Sequence, residues 1–123
     1  MESIQIWLLI VAFLRLLGAS QAFFNVGRLR TNVYSSDPKQ ITGLTARLFG
    51  IWTLMSFTLC VATAYSPYNK TLFFVTWVSF VWAFLHFFTE TLIFRTSSVK
   101  DAIPPFIVAS TSIIWMGFSL LNW

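Results

Sequence analysis

The chain has 123 residues, of which 57% are hydrophobic and only 10% are charged. A soluble domain normally carries about 25% charged residues, so this composition excludes an ordinary water-soluble domain. The formal net charge is +4, from eight basic and four acidic residues. Most of the basic residues lie in two short loops, a pattern that indicates membrane topology and not nucleic-acid binding. Cys60 is the only cysteine, which excludes an internal disulfide.

Four long apolar segments occupy most of the chain: residues 4–24, 44–64, 71–94 and 103–121. A bilayer core about 30 Å thick is crossed by about 20 apolar residues of helix, and each segment is near that length. The apolar runs are continuous and do not alternate, which favours helices over a β-barrel. We therefore predict an all-α polytopic membrane protein, with residues 1–123 forming a single four-transmembrane-helix bundle.

The first segment, residues 4–24, is predicted to be a retained membrane helix and not a signal peptide. Its apolar run is longer than a signal core of about 7–15 residues. Glu2 is the only charge before it, and Arg15 interrupts it. A charge within the membrane is costly, so it usually faces the bundle interior and finds a partner there. We expect this of Arg15.

The second segment, residues 44–64, carries a strip of small residues. Ala46, Gly50 and Thr53 recur at helical spacing and therefore share one face. Small side chains at this spacing let another helix approach closely, so we expect this small-residue strip to be a helix-packing surface. Arg47 lies beside it.

The third segment, residues 71–94, has a face of small and polar residues. Its members recur every three or four residues, which places them on one side of a helix: Thr76, Ser79, Ala83, His86 and Glu90. We interpret this face as interhelical hydrogen bonding, which commonly stabilises membrane bundles. The alternative is a small lipid-binding, sterol-binding or transport bundle that uses the His86/Glu90 face as a polar path.

Two charged residues lie at matching depth in the second and third segments. Helix rise places Arg47 about 10 Å and Glu90 about 11 Å from the centres of their segments, both displaced toward the same loops. We therefore predict that Arg47 and Glu90 face each other, with Arg15 as the alternative partner of Glu90.

The loops have an asymmetric charge that predicts the membrane orientation. The loops at residues 25–43 and 95–102 lie on the same side and hold five basic residues, whereas the opposite loop holds only Lys70. The five are Arg28, Arg30, Lys39, Arg95 and Lys100. The positive-inside rule places these two loops in the cytosol.

Two short motifs are interpreted as helix starts. Pro104 and Pro105 are predicted to open the last helix, because proline is tolerated in a first helical turn. Asn69, Lys70 and Thr71 match a glycosylation sequon. We favour a turn that leads into the third helix, because the sequon adjoins an apolar segment.

Known catalytic and cofactor motifs do not occur in the chain. There is no glycine-rich phosphate loop, no His-Glu-x-x-His and no dinucleotide-binding fingerprint. One histidine, one cysteine and one intramembrane carboxylate are too few for a four-ligand zinc site. We therefore predict no catalytic, cofactor-binding or metal-binding residue, and a membrane enzyme that uses His86 as acid/base is a rival hypothesis.

Five stretches of the chain form a recognisable set: Ala46-Arg47-Leu48-Phe49-Gly50-Ile51-Trp52-Thr53-Leu54, Asn69-Lys70-Thr71-Leu72, His86-Phe87-Phe88-Thr89-Glu90, Phe94-Arg95-Thr96 and Thr111-Ser112-Ile113-Ile114-Trp115-Met116. Together they resemble the ergosterol biosynthetic protein 28 family of small four-helix proteins of the endoplasmic reticulum. The resemblance is strong over the second to fourth segments and looser over the first.

The resemblance implies a non-catalytic scaffold in the endoplasmic reticulum membrane. Proteins of this family tether three sterol C-4 demethylation enzymes: a C-4 methyl oxidase, a 3β-hydroxysteroid dehydrogenase/decarboxylase and a 3-keto reductase. The expected partners are therefore these enzymes and membrane lipids, with homo-oligomerisation left open. On this basis we interpret Arg28, Arg30 and Arg95 as partner-docking residues, although they could equally serve only to set topology or to meet anionic headgroups.

Overall fold

A computed structural model describes residues 2–123. Within this range the chain forms five α-helices, and the residues described contain no strand: α1 (Ser3–Phe24), α2 (Val26–Asn32), α3 (Gly43–Tyr65), α4 (Lys70–Leu92) and α5 (Val99–Leu121). A short 3-10 turn at Pro38–Gln40 precedes α3. The helices α1, α3, α4 and α5 are each long and apolar enough to cross a membrane. The predicted all-α polytopic bundle is confirmed.

The helix boundaries differ from the sequence prediction in two places. The loop at residues 25–43 contains the additional helix α2. The last helix begins at Val99 and not at residue 103, because the Ser98 hydroxyl accepts a hydrogen bond from the Asp101 amide at 3.1 Å and caps the helix. Pro104 and Pro105 therefore lie in the second turn of α5, inside the helix.

The four long helices associate as two pairs. The contact of α1 with α3 is the most extensive, that of α4 with α5 is the next, and α3 meets α4 over a smaller area. A central apolar core joins the pairs and takes residues from all four helices. It includes Leu8, Cys60, Phe80 and Met116. A second apolar cluster joins the helix ends to the first loop and includes Leu29, Tyr34, Ala46 and Phe87.

The small-residue strip of α3 packs on α1. A Cβ atom added to Gly50 would lie 2.7 Å from Cε2 of Phe23 in α1, so glycine is what permits this close approach. Contact between α3 and α4 occurs farther along the helices, where the Thr63 and Thr76 hydroxyls are 2.6 Å apart. Within the small-residue strip, Gly50 therefore packs against α1.

The outer surface of the bundle is apolar. Between 17% and 28% of the most apolar window of each long helix is buried inside the protein, which leaves most of each helix facing outward. Large side chains such as Phe13, Leu48, Trp82 and Ile107 are at least half exposed. The protein is therefore a multi-pass membrane protein whose outer face is available to lipid or to other membrane proteins.

Candidate functional site: buried polar groups and the loop face

The single histidine is held by a tyrosine from the first loop. Nε2 of His86 in α4 lies 2.7 Å from the Tyr34 hydroxyl, and the Trp52 ring packs against the imidazole with centroids 5.1 Å apart. Burial raises the pKa of Tyr34 well above its usual range, and the nearby Glu90 carboxylate raises it further. The tyrosine is therefore neutral at physiological pH and links the loop to α4 through a hydrogen bond.

Glu90 closes the turn between α4 and α5. Its carboxylate accepts a hydrogen bond from the Thr96 hydroxyl at 2.8 Å. Its backbone carbonyl accepts from the amides of Thr96 and Ser97 at 2.8 and 3.2 Å. The Ser97 hydroxyl then donates to the Val33 carbonyl at 2.7 Å. These bonds join the two loops predicted to be on the same side of the membrane.

The predicted pairing of Arg47 with Glu90 is wrong. No salt bridge joins them within residues 2–123: Arg47 is exposed, and its Nη1 would lie 3.1 Å from a Cβ atom at Gly43, one turn earlier in its own helix. Matching depth says nothing about which side of the helix a residue occupies. The Glu90 carboxylate instead accepts a hydrogen bond from the Thr96 hydroxyl in the adjoining turn.

Arg15 faces the bundle interior, as expected, but it is not the partner of Glu90. Its Nη1 donates to the Ser56 carbonyl at 3.1 Å and to the Cys60 sulfur at 3.2 Å. Its guanidinium carbon lies 4.3 Å from the centre of the Phe80 ring, where a cation is attracted to the aromatic face. Arg15 also lines a cavity of roughly 360 Å³ between the long helices.

The polar face of α4 points inward and is satisfied by protein groups. Besides the bond to Thr63, the Thr76 hydroxyl donates to the Leu59 carbonyl at 3.3 Å. The Ser79 hydroxyl donates to the Thr76 carbonyl at 2.6 Å. The Thr76 bonds join α4 to α3. Ser79 bonds within α4, whereas His86 and Glu90 bond to loop residues, so within residues 2–123 the interhelical hydrogen bonds of this face come from Thr76.

The three basic residues proposed for docking differ in their surroundings. Arg28 is exposed, and so is Arg95, which has a left-handed backbone with φ of 56° in the turn after α4. Arg30 is also exposed, but its Nε donates to the Ile41 carbonyl at 2.9 Å. Arg30 therefore helps to hold the first loop, whereas Arg28 and Arg95 expose their positive charge at the surface of the protein.

Tyr34 and Thr96 were not predicted from the sequence as the hydrogen-bond partners of His86 and Glu90. The available signal was a tyrosine within a polar loop, but nothing in its spacing links it to His86.

The sequon residue Asn69 behaves as expected, since its side chain accepts a hydrogen bond from the Leu72 amide at 3.1 Å and caps α4. Residues 2–123 contain no group of three or more His, Cys, Asp or Glu side chains arranged to hold a metal ion.

Comparison with known proteins identifies the family. The family model described as "Erg28 like protein" matches residues 4–114. The chain belongs to the Erg28 family. The match includes the Gly50 contact, the Arg15 cavity and both loops described above, so these features lie within the Erg28 region of the chain.

Curated Erg28 relatives match over most of their length. "Ergosterol biosynthetic protein 28" of Arabidopsis thaliana is 37% identical over 123 residues, covering 100% of this chain and 92% of the relative. The protein of the same name from Saccharomyces cerevisiae is 33% identical over 114 residues, covering 89% and 75%. "Ergosterol biosynthetic protein 28 homolog" of Mus musculus is 35% identical over 111 residues, covering 89% and 79%. No solved structure matches the chain.

Proposed function

We propose that this protein is a non-catalytic scaffold of the endoplasmic reticulum membrane that tethers the sterol C-4 demethylation enzymes. The observation that carries the proposal is the match to relatives named for ergosterol biosynthesis along nearly the whole chain. The partners are a C-4 methyl oxidase, a 3β-hydroxysteroid dehydrogenase/decarboxylase and a 3-keto reductase. Sterol intermediates partition into the membrane, so holding successive enzymes together raises their effective concentration for one another.

The outer surface is suited to this role. Most of each long helix faces outward, and exposed side chains such as Leu48, Ile51 and Met55 form an apolar face along α3. Membrane helices associate through packing and interhelical hydrogen bonds. Thr76, Ser79 and His86 of α4 bond to protein groups, and the exposed residues of the long helices are mainly large apolar side chains.

The basic loop face supplies the second part of the proposal. We place the loops at residues 25–43 and 95–102 in the cytosol, where Arg28 and Arg95 meet acidic surfaces of the partner enzymes. Both are exposed, and the Ser97–Val33 hydrogen bond joins their loops. Because this bond links the two loops, Arg28 and Arg95 are held on one docking surface.

Affinity purification of the full chain from mild detergent tests the scaffold. The tagged protein should recover the three C-4 demethylation enzymes, and its deletion should raise the level of C-4-methylated sterols. Recovery of the protein alone, together with an unchanged sterol profile, would overturn the proposal.

Paired variants separate docking from topology. Arg28→Gln with Arg95→Gln should reduce recovery of the enzymes, whereas Lys70→Gln, on the opposite side of the membrane, should not. Membrane orientation is measured in the same cells by accessibility of a reporter at each loop. If the arginine variants invert the orientation, the residues set topology; if they change neither orientation nor recovery, the docking assignment is wrong.

A lipid-transport role through the His86/Glu90 face remains the rival function. In the structure these side chains bond to Tyr34 and Thr96, so a polar path would require both bonds to open. His86→Ala that preserves enzyme recovery but abolishes sterol flux would favour the rival.

A further inference from the structure

The buried guanidinium of Arg15 carries more hydrogen-bonding capacity than its surroundings use. Arginine presents five N–H donors and is always protonated in proteins. Among residues 2–123 its acceptors are the Ser56 carbonyl and the Cys60 sulfur, and both bonds come from Nη1. Neither acceptor carries a formal negative charge when the thiol is protonated. The positive charge near the middle of α1 is therefore unneutralised by the described protein groups.

Charges within membrane segments usually pair with an opposite charge, and the nearest candidates on this chain are engaged elsewhere. Glu90 is bonded to Thr96 at the end of α4. Asp101 lines the same cavity as Arg15, but its Oδ2 accepts hydrogen bonds from the amide and the hydroxyl of Ser35. No salt bridge to Arg15 is formed within residues 2–123.

Arg15 lies at a mostly apolar cavity of ligand size, whose few polar wall residues include Asn32, Ser56 and Asp101. The cavity has a volume of roughly 360 Å³, within the range of about 300–1,000 Å³ that small-molecule sites occupy. Its other walls include Val11 from α1, Trp52 from α3, Phe80 from α4 and Val108 from α5. A ligand that fits must therefore present an apolar body and one group that satisfies a guanidinium.

The cavity extends to the loop face. Asn32, Asp101 and Pro104 line both the cavity and an adjoining polar depression that also contains Lys100. Arg15 is about nine residues, or ~14 Å of helix, from the end of α1 at these loops. An elongated amphiphile can therefore occupy the space between the loop face and the guanidinium. Pro104 and Pro105 are part of its wall.

We propose that this cavity binds a carboxylated lipid, with its carboxylate on the Arg15 guanidinium and its apolar body among the long helices. A carboxylate matches the planar guanidinium with two parallel hydrogen bonds and neutralises its charge. A neutral lipid would fill the apolar space but leave the charge unpaired. The cavity reaches the loop face, but Arg28 and Arg95 do not line it, so acid binding at Arg15 is tested separately from partner docking.

Native mass spectrometry of the full chain in mild detergent tests the site. The probes are oleic acid and lithocholic acid, a flexible and a rigid carboxylated lipid, each compared with its methyl ester. At least one acid should bind about tenfold or more tightly than its ester, as expected for a hydrogen-bonded charge pair. Preference for oleic acid identifies a fatty acyl ligand, preference for lithocholic acid a polycyclic one.

Variants assign the binding to the guanidinium. Arg15→Gln should lower the affinity for the acid to that for the ester, and Arg47→Gln, an exposed arginine in another long helix, is the matched control and should not. Equal binding of acid and ester, or full acid binding by a folded Arg15→Gln protein, would overturn the proposal. If Arg15→Gln fails to fold, Ala83→Phe fills the cavity and keeps the arginine; undiminished acid binding to that variant would also overturn it.

Discussion

Gly50→Ala tests whether the close approach of α1 to α3 stabilises the bundle. The added methyl group would lie 2.7, 3.0 and 3.2 Å from three atoms of the Phe23 ring, so the ring must move. Overpacking of this kind costs about 1–3 kcal/mol, and the better helix propensity of alanine recovers up to about 1 kcal/mol. We expect the free energy of unfolding to fall by about 1–2 kcal/mol.

Reversible unfolding in mixed micelles, followed by circular dichroism, measures this change. Gly18→Ala is the matched control on the facing helix, because the nearest contact of its methyl group would be the Thr53 methyl at 4.0 Å; it should be neutral or slightly stabilising. Phe23→Leu should relieve the clash, so the cost of Gly50→Ala should shrink in that background. An equal cost with and without the Phe23 ring would refute the contact as its cause.

Three further changes probe the polar contacts by the same unfolding measurement. Tyr34→Phe removes the bond to His86 and should cost about 1 kcal/mol; no loss would show that the loop is not held by this bond. Thr76→Val removes two bonds and should cost about 1 kcal/mol, more than Thr63→Val, which removes one; the reverse order would contradict the assigned pattern. Asn69→Ala removes the cap of α4 and should cost about 1 kcal/mol, and a stability equal to that of the unchanged protein would argue against capping.

Features that depend on a single helix could be predicted from the sequence. The apolar runs predicted the four long helices, because the thickness of the bilayer sets the length of a membrane-spanning helix. The cost of an intramembrane charge gave the inward position of Arg15. The spacing of Ala46 and Gly50 gave a packing face. Each of these follows from composition or helical period without knowledge of any neighbour.

Features that depend on which helices are neighbours could not be predicted. Depth along the membrane normal suggested Arg47 as the partner of Glu90, but rotation about the helix axis and the adjoining turn decide the contact. Pro104 and Pro105 suggested that α5 begins near residue 103, whereas the Ser98 cap places its start one turn earlier, at Val99. The Tyr34–His86 bond joins residues 52 apart in sequence, and no local pattern encodes it.

A central apolar core joins the two helix pairs, and hydrogen bonds fasten their loops at one end. Within each pair, broad apolar packing dominates, whereas the two loops at one end are fastened by the Ser97–Val33 and Tyr34–His86 hydrogen bonds. The net contribution of a hydrogen bond to stability depends on how far water competes for its donor and acceptor. The side chains of Tyr34 and Ser97 are buried, so the protein itself keeps water away from both bonds, and each bond is stronger than it would be at an exposed surface.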